Sequence, residues 1–214
     1  MFNWFKSKPE EKKDNAPEII GLYLGGSFEI DPLHLRLIEP ELLIEGAASQ
    51  HMIQAVGEVR LDTGGKILRF YTDDDAFLQV VLDGGDGPEH ITDVKLWYFY
   101  DTTTVGSEVQ WKSLIESDIS KPNYPLDEHL YQRVWNALGE TSPPVAMTEK
   151  TWELDGDISE TDQFVMLYER PIADGRFEAL LVSAEEKIVN NQPDRCLVRS
   201  SGFNLSPAEL KING

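Results

Sequence analysis

The chain has 214 residues, and 19 Lys and Arg against 38 Asp and Glu leave it a formal net charge of −19. That balance excludes nucleic acid and anionic lipid headgroups as the main partner of the folded body, because both would be repelled. One cysteine, Cys196, can neither close an internal disulfide nor complete a zinc site of two or four thiolates, which points to a reducing, cytosolic compartment.

Residues 1–17 open with Phe2, Trp4 and Phe5 and continue into a run of Lys, Glu and Asp between prolines. Such a segment cannot fill a core, so it is expected to be a flexible arm, and the three aromatics beside Lys6 and Lys8 read either as a mobile start, the favoured reading, or as a short interfacial membrane anchor. No apolar run reaches the ~20 residues of a membrane span, and Lys6, Lys8 and Pro9 occupy the place where a signal peptide would be apolar. Residues 18–214 are expected to form one β-rich body. Short runs rich in β-branched and aromatic residues predict strands over 19–24, 42–45, 53–61, 67–71, 77–82, 94–100, 148–154, 164–169, 177–182 and 195–200. Asp62-Thr63-Gly64-Gly65 predicts a hairpin between 53–61 and 67–71. The loop 83–88 precedes a strand, 94–100, that is apolar on both faces and therefore central.

Helices interrupt these strands. Asp31-Pro32 is an N-cap and first-position pair, followed by Leu33, Leu37 and Ile38 at helical spacing until Pro40. Val109, Trp111, Leu114 and Ile115 predict a second helix within 107–117. After Tyr124-Pro125, the stripe Leu130, Val134, Leu138, flanked by Tyr131 and Trp135 and closed by Gly139, predicts an amphipathic third. Ser206-Pro207-Ala208-Glu209 starts a last turn. The fold class expected is α+β, with β-rich mixed or antiparallel sheets and three or four short helices.

Two stretches spaced one hundred residues apart look alike. Phe77-Leu78-Gln79-Val80-Val81-Leu82 and Phe177-Glu178-Ala179-Leu180-Leu181-Val182 each follow an acidic turn, and each precedes another apolar strand. They read either as two similar β-hairpin units meeting near 141–147, at Pro143-Pro144, or as a likeness of composition alone.

The runs 69–80, Lys95-Leu96-Trp97-Tyr98-Phe99-Tyr100-Asp101-Thr102 and Tyr131-Gln132-Arg133-Val134-Trp135, with Leu167-Tyr168-Glu169-Arg170, Leu180-Leu181-Val182-Ser183 and Leu205-Ser206-Pro207-Ala208-Glu209-Leu210, resemble the YjfK-like family of uncharacterised bacterial proteins. The resemblance spans nearly the whole body. It implies no activity, cofactor or catalytic residue. Similar proteins are often encoded near relatives of the phage-shock membrane-stress coat protein, which implies a cytosolic role in envelope stress, close to the inner membrane.

Few residues carry chemistry by pattern. Asp73-Asp74-Asp75 concentrates three carboxylates, but the spaced ligands and distal Glu of a calcium loop are missing, so a turn is the favoured reading. Asp155-Gly156-Asp157 reads as a strand-ending loop for the same reason. His34, His51, His90 and His129 lack helical metal-ligand spacing and read as scattered surface or interface residues. Gly84-Gly85-Asp86-Gly87 places an acid where phosphate would approach. Cys196, between Arg195 and Arg199, is either a reactive thiol or, favoured, a buried one. Trp97, Trp111, Trp135 and Trp152 read as core or capping residues. No metal or cofactor is expected. The leading reading is a non-catalytic acidic binding or adaptor domain acting through protein contacts on a cationic or membrane-associated partner. The alternative is an enzyme in which Asp73, Asp74, Asp75 and Asp101 converge on a small cationic substrate.

If Asp73, Asp74 and Asp75 are turn residues, changing all three to Asn alters stability by no more than about 1 kcal/mol. Ca²⁺ or Mg²⁺ then leaves the thermal midpoint of the parent unmoved. A saturable rise with metal in the parent, absent in the triple variant, would make them a cation site.

Overall fold

The protein is described by a computed structural model covering residues 15–135 and 141–213. Its first part contains β1 (Ser27–Ile30), α1 (Pro32–Ile38), β2 (Gln50–Arg60), β3 (Lys66–Thr72), β4 (Ala76–Leu82) and β5 (Ile91–Thr104). After these come α2 (Glu108–Ser113), β6 (Asn123–Leu126), β7 (His129–Arg133), β8 (Val145–Glu153), β9 (Ile158–Pro171), β10 (Phe177–Val189), β11 (Gln192–Asn204) and β12 (Leu210–Asn213). Strands β2, β3, β4, β5, β11, β10, β9 and β8 are neighbours in that order, and β8 pairs back onto β2. The result is a closed eight-stranded antiparallel barrel. Outside it, β12 and β1 extend the sheet from the start of β2, and β6 and β7 extend it from the end of β9.

The barrel is two four-stranded meanders, β2–β5 and β8–β11, joined at two seams. Each is preceded in the chain by the segment that covers its outer face. Ile19, Leu22, Phe28, Leu35 and Ile38 pack on Leu68, Phe70, Leu78, Val80 and Leu96 of the first. Trp111, Leu114, Ile119 and Tyr131 pack on Met166, Tyr168, Leu180 and Val182 of the second. The two look-alike stretches are β4 and β10, the third strand of each meander. Gln79 faces Arg69 and Ala179 faces Glu169, the same register displaced by one hundred residues.

Strand alternation then separates two environments. In β3 and β4, Leu68, Phe70, Leu78 and Val80 face the cap, while Arg69, Tyr71, Phe77 and Gln79 face the lumen. The β5 strand is apolar on both faces because Leu96 and Tyr98 meet the cap while Trp97 fills the lumen with Phe77, Val165 and Leu181. The 62–65 hairpin forms as expected, with Leu61 N–H donating to the Gly65 carbonyl at 2.9 Å. Asn190 and Asn191, both left-handed at φ 52° and 62°, close β10 onto β11 in a two-residue turn.

Several expectations are corrected. Of the mixed or antiparallel sheets expected, the antiparallel alternative holds for every strand ladder among the described residues, but the sheet also closes on itself into a barrel, which that reading did not include. Among the described residues there are two α-helices. The Asp31-capped α1 and the α2 within 107–117 are present, the latter running on into a π-helical turn, Leu114–Asp118. The amphipathic helix expected after Pro125 is instead the β6–β7 hairpin, turned at Asp127 with φ 51°. Leu130 is 58% exposed, whereas Tyr131, read as lateral, is fully buried. Leu138 and Gly139 lie outside the described residues. The 206–209 segment is a single 3-10 turn with a Ser206–Glu209 capping box, followed by β12. Residues 19–24 form turns with a lone bridge between Ile19 and Leu22, and 42–45 are irregular; Ile19, Leu22, Leu42 and Ile44 plug the first cap, while Leu43 packs on the second.

Candidate functional site

The lumen holds a polar cluster on strands that otherwise read as apolar. Arg69 of β3 donates from Nη1 to Glu149 Oε2 at 2.7 Å and to Gln163 Oε1 at 2.8 Å, and from Nε to Gln79 Oε1 at 3.1 Å. Gln163 Nε2 donates to Glu149 Oε2 at 2.9 Å, and the Tyr71 hydroxyl donates to Glu149 Oε1 at 2.8 Å. The arginine and glutamate side chains are 4% and 2% exposed, so this is a buried ion pair with its remaining valences filled by amides and a phenol. Glu149 fits because Gly57 stands beside it across the β2–β8 seam. A Cβ on Gly57 would lie 1.7 Å from Glu149 Oε1. Burial works against the Arg69 charge, but Glu149 and Tyr71 outweigh it and hold the guanidinium protonated. Burial, reinforced by Glu149, raises the Tyr71 hydroxyl well above the usual phenol range. Glu185 closes the cluster by accepting from Gln163 Nε2 at 3.3 Å.

A second buried carboxylate ties the two caps together. Glu178, fully buried, accepts from Tyr131 Oη at 2.7 Å, Arg170 Nε at 2.7 Å, Ser201 Oγ at 2.6 Å and the Leu43 backbone N–H at 2.7 Å. Arg170 also donates from Nη2 to the Glu41 carbonyl at 2.6 Å. Burial and the neighbouring Glu178 push the Tyr131 hydroxyl upward. These groups are spent on joining chain segments.

A wide opening lies at one mouth of the barrel. The β2–β8 pairing runs from Ala55↔Glu153 to Val59↔Glu149, so residues 145–148 of β8 continue past the end of β2. A cavity of about 860 Å³ opens there, with Ile67, Met147 and Gln163 among its inner lining and Trp135 beside them. Its charged lining is Glu58, Asp62, Glu160, Asp162 and Glu186 against Arg60 and Lys150. Gln163 links this cavity to the lumen cluster.

The residues singled out from sequence lie elsewhere. Asp73 accepts from the Met52 N–H and Asp74 from the Ala48 N–H, both at 2.9 Å, and Asp75 takes the left-handed turn position with φ 47°. Asp74 and Asp75 line a shallow cavity of about 330 Å³ with Tyr98, Phe99 and Tyr100. Asp101 is not part of that lining and pairs with Arg199 across the β5–β11 seam. Asp155 accepts from the Asp157 N–H at 3.0 Å, the turn geometry of a strand end. Among the described residues no group of three or more His, Cys, Asp or Glu is placed to hold a metal. His51 corrects the reading of surface histidines. It is 1% exposed, stacked on Phe28 at 4.7 Å, and burial lowers its proton affinity. Trp135, read as a core or capping residue, is 36% exposed and lines the cavity. Cys196 is half-buried, and burial, with Glu185 and Asp194, pushes its thiol up to about 11, away from reactivity. Its flanking arginines turn to carboxylates, Arg195 to Glu186 and Glu108 and Arg199 to Asp101. Phe2, Trp4 and Phe5 lie outside the described residues.

Sequence patterning did not single out Glu149, Gln163 or Glu178, and it quoted Arg69 and Gln79 only within motifs. The signal available was a polar residue at an inward position of an otherwise apolar strand, as in Ile67-Leu68-Arg69-Phe70 and Phe77-Leu78-Gln79-Val80.

Residues 1–211 match the family described as "Protein of unknown function (DUF2491)", and the chain belongs to that family. It is 31% identical over 209 residues to "Uncharacterized protein YjfK" of Escherichia coli (strain K12), covering 94% of this chain and 95% of that one. No solved structure matches. No helix among the described residues is long and apolar enough to cross a membrane.

Glu185 gives the lumen a pH signature. Burial raises its proton affinity, Arg69 opposes the rise and Glu149 adds to it. A carboxyl whose folded pKa is raised contributes stability below its unfolded value near 4.5, and that stability is lost as pH rises through the folded pKa. Glu185→Gln keeps an acceptor for Gln163 and removes the charge. Its thermal midpoint is expected to exceed the parent's at pH 7 to 8, with the gap closing in acid near pH 4. A midpoint below the parent's at neutral pH would mean that the Glu185 charge stabilises the lumen.

Proposed function

We propose that the protein is a non-catalytic acidic binding domain that acts through protein contacts and recognises a cationic partner. One observation carries the reading. Two buried ion pairs, Arg69 with Glu149 and Arg170 with Glu178, are consumed in joining chain segments, whereas an open cavity of about 860 Å³ is lined by five carboxylates and two cations. Electrostatic complementarity of that kind steers a partner of opposite charge and fixes its orientation. The reading includes a cytosolic location peripheral to the inner membrane, with Phe2, Trp4 and Phe5 as the anchoring aromatics of the 1–17 arm. It also takes the body, residues 18–214, as two similar halves, each a cap followed by a four-stranded meander.

An enzyme acting on a small cationic substrate is the second reading. Glu185 favours it, because its raised proton affinity places a potential proton donor next to Gln163, at the inner side of the cavity.

Affinity purification from the native cell tests the first reading. The co-purifying partner is expected to present a basic surface and to be released as salt contracts the Debye length from about 10 Å at 0.1 M to about 3 Å at 1 M. An acidic partner, held equally at both salt concentrations, would contradict it.

A further inference from the structure

We infer that the 145–148 stretch of β8 is a docking edge for an extended basic segment of a protein partner, which adds to the sheet as a strand across the cavity mouth. This rests on the binding-domain reading and names its site. β8 pairs with β9 from Val145↔Val165 to Trp152↔Ile158, but with β2 only from Glu149 onward, because β2 ends at Arg60 and the chain turns back into β3. The other edge of 145–148 therefore borders the cavity with no strand partner among the described residues. An unpaired edge presents main-chain donors and acceptors to any extended chain that reaches it.

The side chains around that edge are sorted by face. Met147 alternates with Ala146 and Thr148 along β8 and lies on the lumen side, with Ile67 and Gln163. Thr148 sits opposite Asp162, and Lys150 opposite Glu160, on the outer face, where Glu186 in turn pairs with Asp162 from β10. A strand added here sends alternate side chains to the two faces. One set meets the apolar floor of Ile67 and Met147. The other lies on the side of Glu160 and Asp162 of β9, with Asp62 approaching from the β2–β3 turn. The segment that fits alternates aliphatic residues with Lys or Arg, and the cavity, at about 860 Å³, has room for its inward side chains.

The probe is an end-blocked peptide of alternating Val and Lys, titrated into the full-length chain while the backbone amide resonances are followed. Saturable shifts are expected to centre on the amides of 145–148 and the 62–65 turn. Two changes should each weaken binding roughly tenfold or more. The first is N-methylation of the peptide at alternate residues, which removes its edge hydrogen bonds. The second is the D62K/E160K variant, whose exposed substitutions leave the thermal midpoint at the parent's value and reverse the charge of the site. Equal binding by the N-methylated peptide, the same shifts with spermidine, shifts spread over the acidic surface, or no saturable shift would each overturn the proposal. A cationic cellular partner that holds parent and D62K/E160K alike would remove this edge and leave the binding-domain reading standing. Absence of any cationic partner would remove both.

Discussion

The ion pair between Arg69 and Glu149, sealed inside the barrel, is the interaction on which the rest of the structure depends. Taking both charges out of water costs several kcal/mol per ion, and only close geometry with further hydrogen bonds offsets that cost. The chain supplies them from both meanders. Arg69, Tyr71 and Gln79 come from the first, Glu149 and Gln163 from the second. An apolar lumen would accept many registers of one meander against the other. A guanidinium that must find one carboxylate and two amides accepts few, so the pair serves to fix how the halves close.

Closure also needs space at the seams. Gly57, at the β2–β8 seam, leaves room for Glu149. Gly202, at the β5–β11 seam, lets Trp97 lie flat, since a Cβ there would stand 2.5 Å from Trp97 Cε3 and 2.7 Å from the Leu96 carbonyl oxygen. At each seam a missing side chain on one strand is matched by a large inward one on its neighbour. On the outside, Glu178 does for the caps what Glu149 does for the lumen. It gathers Leu43 of the first cap and Tyr131 of the second onto β10. The open mouth follows from the same geometry, because the β2–β8 pairing stops at Val59↔Glu149 while 145–148 of β8 run on paired with β9 only.

Much of the barrel was legible in the sequence. Alternation and turn chemistry placed eight strand segments, and the look-alike stretches 77–82 and 177–182 fall in β4 and β10. Closure was not legible, since nothing in a strand's own pattern says which distant edge it meets. The β6–β7 hairpin read as a helix because Leu130, Val134 and Leu138 satisfy helical spacing. Tertiary contacts decided otherwise, with Tyr131 drawn inward to Glu178 and Asp127 adopting the left-handed turn. For the site, composition foretold an acidic surface, but the prominent Asp73-Asp74-Asp75 run proved to hold backbone N–H groups through Asp73 and Asp74. The carboxylates that line the large cavity are dispersed from Glu58 to Glu186 and meet only when the barrel closes.

A double-mutant cycle at Arg69 and Glu149, read by denaturant unfolding, tests the central claim most directly. Arg69→Met and Glu149→Met should each cost about 3–5 kcal/mol, because each leaves an unpaired buried charge. The double variant should cost clearly less than the two together, with a coupling of about 1–3 kcal/mol. Single costs under about 1 kcal/mol that simply add would contradict the account, since the barrel would then close without the pair.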